Sequence, residues 1–312
     1  MVLLLCGALF LGGCRKVGYL SSAVFSPPRR NDVELLGLER DVYTFKRGRE
    51  TPSTLLFFIG GSGCPSLRYY LKRYLKEVAT GTQVVALQKR HVHPMTTGRR
   101  CSREFLEHDV YSNWVEEQTA LVEVTLERLE ERPHHVVMMG VSEGADVALN
   151  VASRVDTVTH LVLIGSGGMK GIDQLRLLHP GIDWEKLEGA LAEDPHSIDK
   201  TFLGRPFRYW SSVFPQDPLP EFLSLDIPIL VGIGEDDHSV PVESARYLER
   251  AFVEARKQNL TLVVYENASH TLETPDGVQH RPDFLRRMNS WIERTGTPRS
   301  KSPKTSDHPN HR

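Results

Sequence analysis

The chain has 312 residues, 40% of them hydrophobic, and its 38 Lys and Arg against 40 Asp and Glu give a formal net charge of −2. That is enough apolar material for a sizeable core, at a length where one large α/β domain is ordinary. The near balance of charge excludes the basic footprint of a nucleic-acid binder.

The N-terminus stands apart from the rest. Residues 1–14 are a short apolar run ending in small residues. The run is too short to span a bilayer as a helix, but it has the length of a signal-peptide h-region. Leu11-Gly12-Gly13-Cys14 resembles the lipobox of bacterial lipoproteins, whose cysteine is lipidated and becomes the new N-terminus. No Lys or Arg precedes the apolar run, which departs from the usual n-region. The resemblance implies a signal peptide over 1–13, a lipid on Cys14 and a body held at the cell envelope, on a membrane outside the cytoplasm. An uncleaved anchor is the alternative. Residues 18–31 carry Ser, Pro and Arg without apolar periodicity and read as part of a tether over 14–38.

From residue 39 the elements alternate. Apolar runs predict strands at Thr54–Ile59, 83–87, 136–139, His160–Ile164, 227–233 and Leu260–Tyr265. Helical spacing appears over 66–79, through Leu67, Tyr70, Leu71, Tyr74, Leu75 and Val78, and again over 112–131, 143–153, 242–258 and 284–294. Strands alternating with helices predict a mostly parallel sheet covered on both faces, over 39–294. Some sixty residues separate two of the strands, far more than a crossover needs. This stretch, 169–226, contains Trp184, Phe202, Phe207, Tyr209, Trp210 and Phe214 and reads as a cap insertion. Residues 295–312 lack core-forming side chains and read as a disordered tail. His91 and His93, alternating on a strand, would share one face. No carboxylate or cysteine stands at ligand spacing beside them, so no metal is expected.

The chemistry is concentrated in three places. A short apolar strand breaks at Gly140-Val141-Ser142-Glu143-Gly144 and resumes as a helix, the strand, G-x-S-x-G, helix context of a nucleophile elbow. Such a turn is tight enough to force the serine into a strained backbone conformation, and the two glycines leave out side chains where strand and helix would collide. Asp236 and Asp237 follow a second strand, and an acid there can hold a histidine by its Nδ1–H. His270 follows a third. Ser, Asp, His in that chain order is the order of the α/β-hydrolases.

With these motifs the chain resembles the α/β-hydrolase-fold serine hydrolases over roughly residues 39–294. Gly234-Glu235-Asp236-Asp237-His238-Ser239-Val240-Pro241 is similar to the family's G-x-x-D-x-x-V-P stretch, a match that selects Asp237 over Asp236. Ser269-His270 stands where the family often has Gly-His. The family's oxyanion hole implies two backbone N–H donors: one from Glu143, the residue after the nucleophile, and one from Gly60-Gly61-Ser62-Gly63. Ser62 is the first choice and Gly61 the second, because Gly60 stands where the family often has His. The Glu143 side chain either buttresses the elbow or meets the substrate. Two of the four cysteines, Cys6 and Cys14, belong to the signal and the lipid site. In an oxidising compartment Cys64 and Cys101 are a disulfide candidate, with two free thiols as the alternative, and in this fold the strands before them are expected to be neighbours.

The resemblance implies acyl transfer to water by a Ser142–His270–Asp237 triad, on a small-molecule or peptide acyl substrate and with no need of a metal or organic cofactor. An ester is the first reading, a peptide or amide bond the second. A non-catalytic lipoprotein using the fold as a binding platform is the reading from another class.

Overall fold

A computed structural model of the chain describes residues 26–296. The signal peptide, Cys14 and residues 297–312 lie outside the described residues. In chain order the elements are β1 (Arg29–Leu35), β2 (Leu38–Arg47), β3 (Thr54–Ile59), α1 (Leu67–Tyr74), β4 (Thr82–Leu87), α2 (Arg103–His108), α3 (Tyr111–Glu127), β5 (His135–Val141), α4 (Glu143–Arg154) and β6 (His160–Ile164). Then come α5 (Gly171–Leu178), α6 (Trp184–Glu193), the short pair β7 (Thr201–Phe202) and β8 (Arg205–Pro206), α7 (Phe207–Val213) and α8 (Pro218–Ser224). The chain returns to the sheet with β9 (Ile229–Gly234), α9 (Val242–Glu254), β10 (Leu260–Tyr265) and α10 (Arg281–Thr295).

Eight strands form one sheet in the order β1-β2-β4-β3-β5-β6-β9-β10. The six from β4 to β10 run parallel, and the β1–β2 hairpin closes one edge antiparallel. The central strands are buried on both faces, which explains why they read as continuous apolar runs rather than alternating ones. Along β3, Leu55, Phe57 and Ile59 face one layer with Trp114, Val115 and Leu121 of α3 and Ala148 and Val151 of α4. Leu56 and Phe58 face the opposite layer with Leu71 of α1 and Phe284, Met288 and Trp291 of α10. The two-residue side-chain period of a strand thus builds two cores from one segment.

The sheet begins earlier than the sequence suggests. Residues 29–38, read as tether, form β1 and the start of β2, joined through a tight turn in which Leu36 and Gly37 both have positive φ (54° and 74°). Two positive φ values in a two-residue loop match the right-handed twist of the strands they join. Arg40, on β2, is buried beneath this edge and pairs with Glu117 of α3 at 2.7 Å.

Between β6 and β9 the insertion holds four helices and the β7–β8 pair. Its last helix, α8, does not stand over the sheet as a cap: Phe222 is fully buried in the core shared with α4. His91 and His93 lie in the loop after β4 rather than on a strand face, and the His91 ring packs on His108 with centroids 4.5 Å apart. Among the described residues no group of three or more His, Cys, Asp or Glu side chains is arranged to hold a metal, and no helix is long and apolar enough to cross a membrane.

Candidate active site

Ser142 sits between β5 and α4 with φ 56° and ψ −128°, a left-handed conformation that costs a non-glycine residue about 1–3 kcal/mol. Neighbours force the turn to be this sharp. A Cβ on Gly140 would lie 2.2 Å from the Gly144 carbonyl oxygen, and one on Gly144 would lie 2.3 Å from that of Gly60. Only glycines let the first turn of α4 press against β5 and against the end of β3. The Ser142 N–H donates to Ile164 O at 2.8 Å, and its own carbonyl accepts from the Ala145 N–H at 2.7 Å, so the elbow is pinned to β6 on one side and to its helix on the other.

The acid and the histidine come from the two strands beyond β6. Asp237 follows β9 with a side chain that is 0% exposed. Its Oδ1 accepts the N–H groups of Ser239 (2.8 Å) and Val240 (2.9 Å), while Oδ2 lies 2.7 Å from His270 Nδ1. A carboxylate fixed by two backbone donors has one oxygen left to orient an imidazole. Asp236 is exposed, and its backbone N–H donates to Ala268 O at 2.9 Å. His238 is also exposed. His270, in the turn after β10, lies over Gly165, where a Cβ would be 2.7 Å from its Cε1. Gly165 directly follows Ile164, the residue that accepts the Ser142 N–H. Serine and imidazole are thereby placed around the same strand end. Among the described residues no hydrogen bond joins Ser142 Oγ to His270; such bonds often tighten only when substrate is in place.

The loop after β3 forms the other wall. A Cβ on Gly61 would lie 3.4 Å from Ser142 Cβ, so this residue abuts the serine, while Ser62 is exposed. Cys64 and Cys101 form a disulfide with Cα atoms 5.6 Å apart, tying the end of this loop to the segment that leads into α2. Gln88, just past β4, secures the same loop: its Oε1 accepts the Leu67 N–H (2.8 Å) and its Nε2 donates to Pro65 O (3.2 Å).

Behind the elbow lies a cluster that sequence reasoning missed. Lys89 Nζ donates to Glu143 Oε1 (2.8 Å) and to Asp109 Oδ1 (2.7 Å), and Asp109 Oδ2 accepts from Arg205 Nη1 (3.2 Å). Tyr209 OH reaches Glu143 Oε2 at 3.4 Å. The Lys89, Asp109 and Glu143 side chains are 9%, 5% and 7% exposed. Burial pulls the Lys89 pKa down, but the carboxylates of Glu143 and Asp109 outweigh it and hold it above the ordinary lysine value. Burial raises the Asp109 carboxyl above its usual range, against the pull of Lys89. One turn along α4, Asp146 is pushed up to about 7, first by burial and then by the charge of Glu143. No pattern announces this cluster, since its partners stand 20, 54 and 96 residues apart.

A model of the family described as BAAT / Acyl-CoA thioester hydrolase C terminal matches residues 125–292, more than half of the chain. No curated protein matches it. Among solved structures the chain is similar to an acylaminoacyl peptidase from Pyrococcus horikoshii (14% identity, TM-score 0.58, 86% of this chain and 41% of that one). It is also similar to Est1E from Butyrivibrio proteoclasticus (13%, 0.60, 86% and 99%) and to an esterase from Pyrococcus furiosus (18%, 0.56, 86% and 92%). It spans about two fifths of the length of the peptidases it matches. These likenesses establish an α/β-hydrolase fold, and the family match covers the elbow, the acid and the histidine turn. The chain belongs to the BAAT / acyl-CoA thioester hydrolase C-terminal family.

Proposed function

We propose that the protein is a serine hydrolase that cleaves an acyl bond through Ser142, His270 and Asp237. The observation that carries this reading is the Asp237–His270 pair held at the strand end that also receives the Ser142 N–H. Asp237 keeps the Nδ1 proton of His270 facing itself, which leaves Nε2 to accept the serine proton as Oγ attacks the carbonyl. The Glu143 N–H and a donor from Gly61 or Ser62 stabilise the oxyanion of the tetrahedral intermediate. Collapse expels the leaving group with a proton from His270 and leaves an acyl-enzyme. His270 then takes a proton from water, whose attack releases the acid and restores the serine.

An ester is the substrate bond we favour. Peptidases among the solved neighbours keep an amide in view, and the family's description adds the thioester. A fluorophosphonate probe tests the mechanism: labelling of the wild type that vanishes in Ser142→Ala supports it, and absence of labelling in the wild type points to the non-catalytic binding platform. A panel of p-nitrophenyl esters, acyl thioesters and acylaminoacyl amides ranks the bond types.

We further propose that Cys14 carries a lipid that holds the domain at the cell envelope. The Cys64–Cys101 disulfide supports an oxidising compartment. Replacing Cys14 by Ala should abolish lipid labelling and release the protein from membranes; membrane retention without lipid incorporation would support an uncleaved anchor instead.

A further inference from the structure

The four buried or half-buried charges behind the elbow call for a reason. Replacing a buried ion pair by apolar residues is often neutral or stabilising, so Lys89, Asp109, Glu143 and Arg205 are weakly explained as a stability device. Their position explains them better. Glu143 is the first residue of α4, and its backbone N–H is one of the two donors assigned to the oxyanion. The positive end of the α4 dipole is directed at the same spot. An uncompensated carboxylate on that residue would oppose the negative charge that develops on the substrate oxygen, in a setting where little water screens it. A buried carboxylate without partners would also turn outward or take a proton, and its backbone would follow.

Lys89 answers both problems. Its ammonium binds one oxygen of Glu143, while Tyr209 holds the other. The ammonium is itself confined by Asp109 and by the rings of Trp114 and Phe105, whose centroids lie 5.6 and 5.9 Å away. The preceding residue, Gln88, holds the opposite oxyanion loop at Pro65 and Leu67. Two consecutive side chains just past β4 therefore hold Glu143 on one side and the segment that follows Gly60–Gly63 on the other.

Resting on the serine-hydrolase reading, we propose that Lys89, seated by Asp109, is a positioning residue for the oxyanion hole: it orients Glu143 and cancels its charge beside the developing oxyanion. Lys89 touches no reacting atom. It acts through Glu143, so its loss falls on kcat rather than KM, and its effect depends on the carboxylate being present.

The test is a double-mutant cycle on the full chain with a p-nitrophenyl ester and a fluorophosphonate probe, with thermal melts as the folding control. Lys89→Met should lower kcat by roughly 10²-fold with KM little changed, the scale of losing one oxyanion donor. Lys89→Arg should recover most of the rate. Adding Glu143→Gln to Lys89→Met should recover about ten-fold, because the unbalanced charge is gone; a purely structural lysine would give losses that add. Should Lys89→Met fail to fold, the comparison moves to the Glu143→Gln background. There a further Lys89→Met substitution should cost less than about three-fold, and a loss as large as 10²-fold would overturn the proposal. Wild-type kcat in folded Lys89→Met would overturn it as well. Ser142-dependent labelling of the wild type separates the two levels: if it is absent, the serine-hydrolase reading falls and takes this proposal with it.

Discussion

The sheet and the insertion between β6 and β9 are built by different rules. Every residue of β6 and β9 is buried, and their side chains contribute to cores on both faces. By contrast α5 buries no residue and α6 only Leu191. The insertion is anchored in the main core by Phe222 of α8 and held otherwise by an aromatic chain, Trp184 on Phe202, Phe202 on Trp210 and Trp210 on Tyr209 and Phe214, and by surface ion pairs such as Arg176–Glu188. Ser142, Asp237 and His270 all stand just past the ends of sheet strands, in the part whose core is continuous, and none of them stands on the insertion.

The strongest test of that division is Ser142→Ala. It should lower turnover by about 10⁴-fold or more while the melting temperature holds or rises, because the frame is intact and only the nucleophile is gone. Equal loss of both would break the separation of frame from chemistry. Gly140→Ala attacks the frame itself. Its Cβ would meet the Gly144 carbonyl at 2.2 Å, and backbone cannot step aside, so we expect destabilisation of about 3 kcal/mol, read by denaturant unfolding.

Asp146 probes the seam between the two regions, where α4 faces Met169, Val213 and Glu221. Its pKa rises from 3.8 to about 7 in the folded chain. Between those values the folded state keeps a proton that the unfolded state has lost, so stability falls as pH rises through the window, and the full penalty remains above about 7. Asp146→Asn should therefore be more stable than the wild type at pH 8, on the order of a few kcal/mol, and equal to it near pH 4. His160, at the other end of the sheet, works in the opposite sense. Burial pushes it down to about 4, so its contribution is lost as pH falls from about 6.5 to about 4 in both proteins. A variant no more stable at pH 8 would show that Asp146 is ionised without cost.

Trp210→Ala should give the smallest effect. Removing the hub of the aromatic chain should cost about 1–2 kcal/mol and change KM across an ester series more than kcat. A collapse of kcat on every substrate would place the insertion within the catalytic frame.

The same contrast governs what a reader of the sequence can see. The central strands were legible because burial on both faces leaves unbroken apolar runs, and the elbow because two glycines mark a backbone approach that no other residue permits. The choice between Asp236 and Asp237 rested on the likeness to Gly-x-x-Asp-x-x-Val-Pro, and in the structure Asp237 is the carboxylate bonded to His270. The edge hairpin was not legible. Five of the seven residues of Arg29–Leu35 are polar, and its turn is Leu36-Gly37 rather than the Asn-Gly that announces such a loop. The internal form of the insertion stayed hidden because α5 has no buried stripe to set a period. Lys89, Asp109 and Arg205 stayed hidden for a different reason: ion pairs between distant segments leave no spacing to recognise.

The backbone of Ser142 has a consequence for how this protein would respond to selection. At φ 56° and ψ −128° glycine is at ease and serine is not. A population screened for heat resistance alone should therefore drift toward glycine at 142, gaining about 1 kcal/mol net of glycine's greater freedom when unfolded. Such descendants would keep the fold and lose the hydroxyl. The serine at this position is thus a running cost that only a demand for chemistry can maintain.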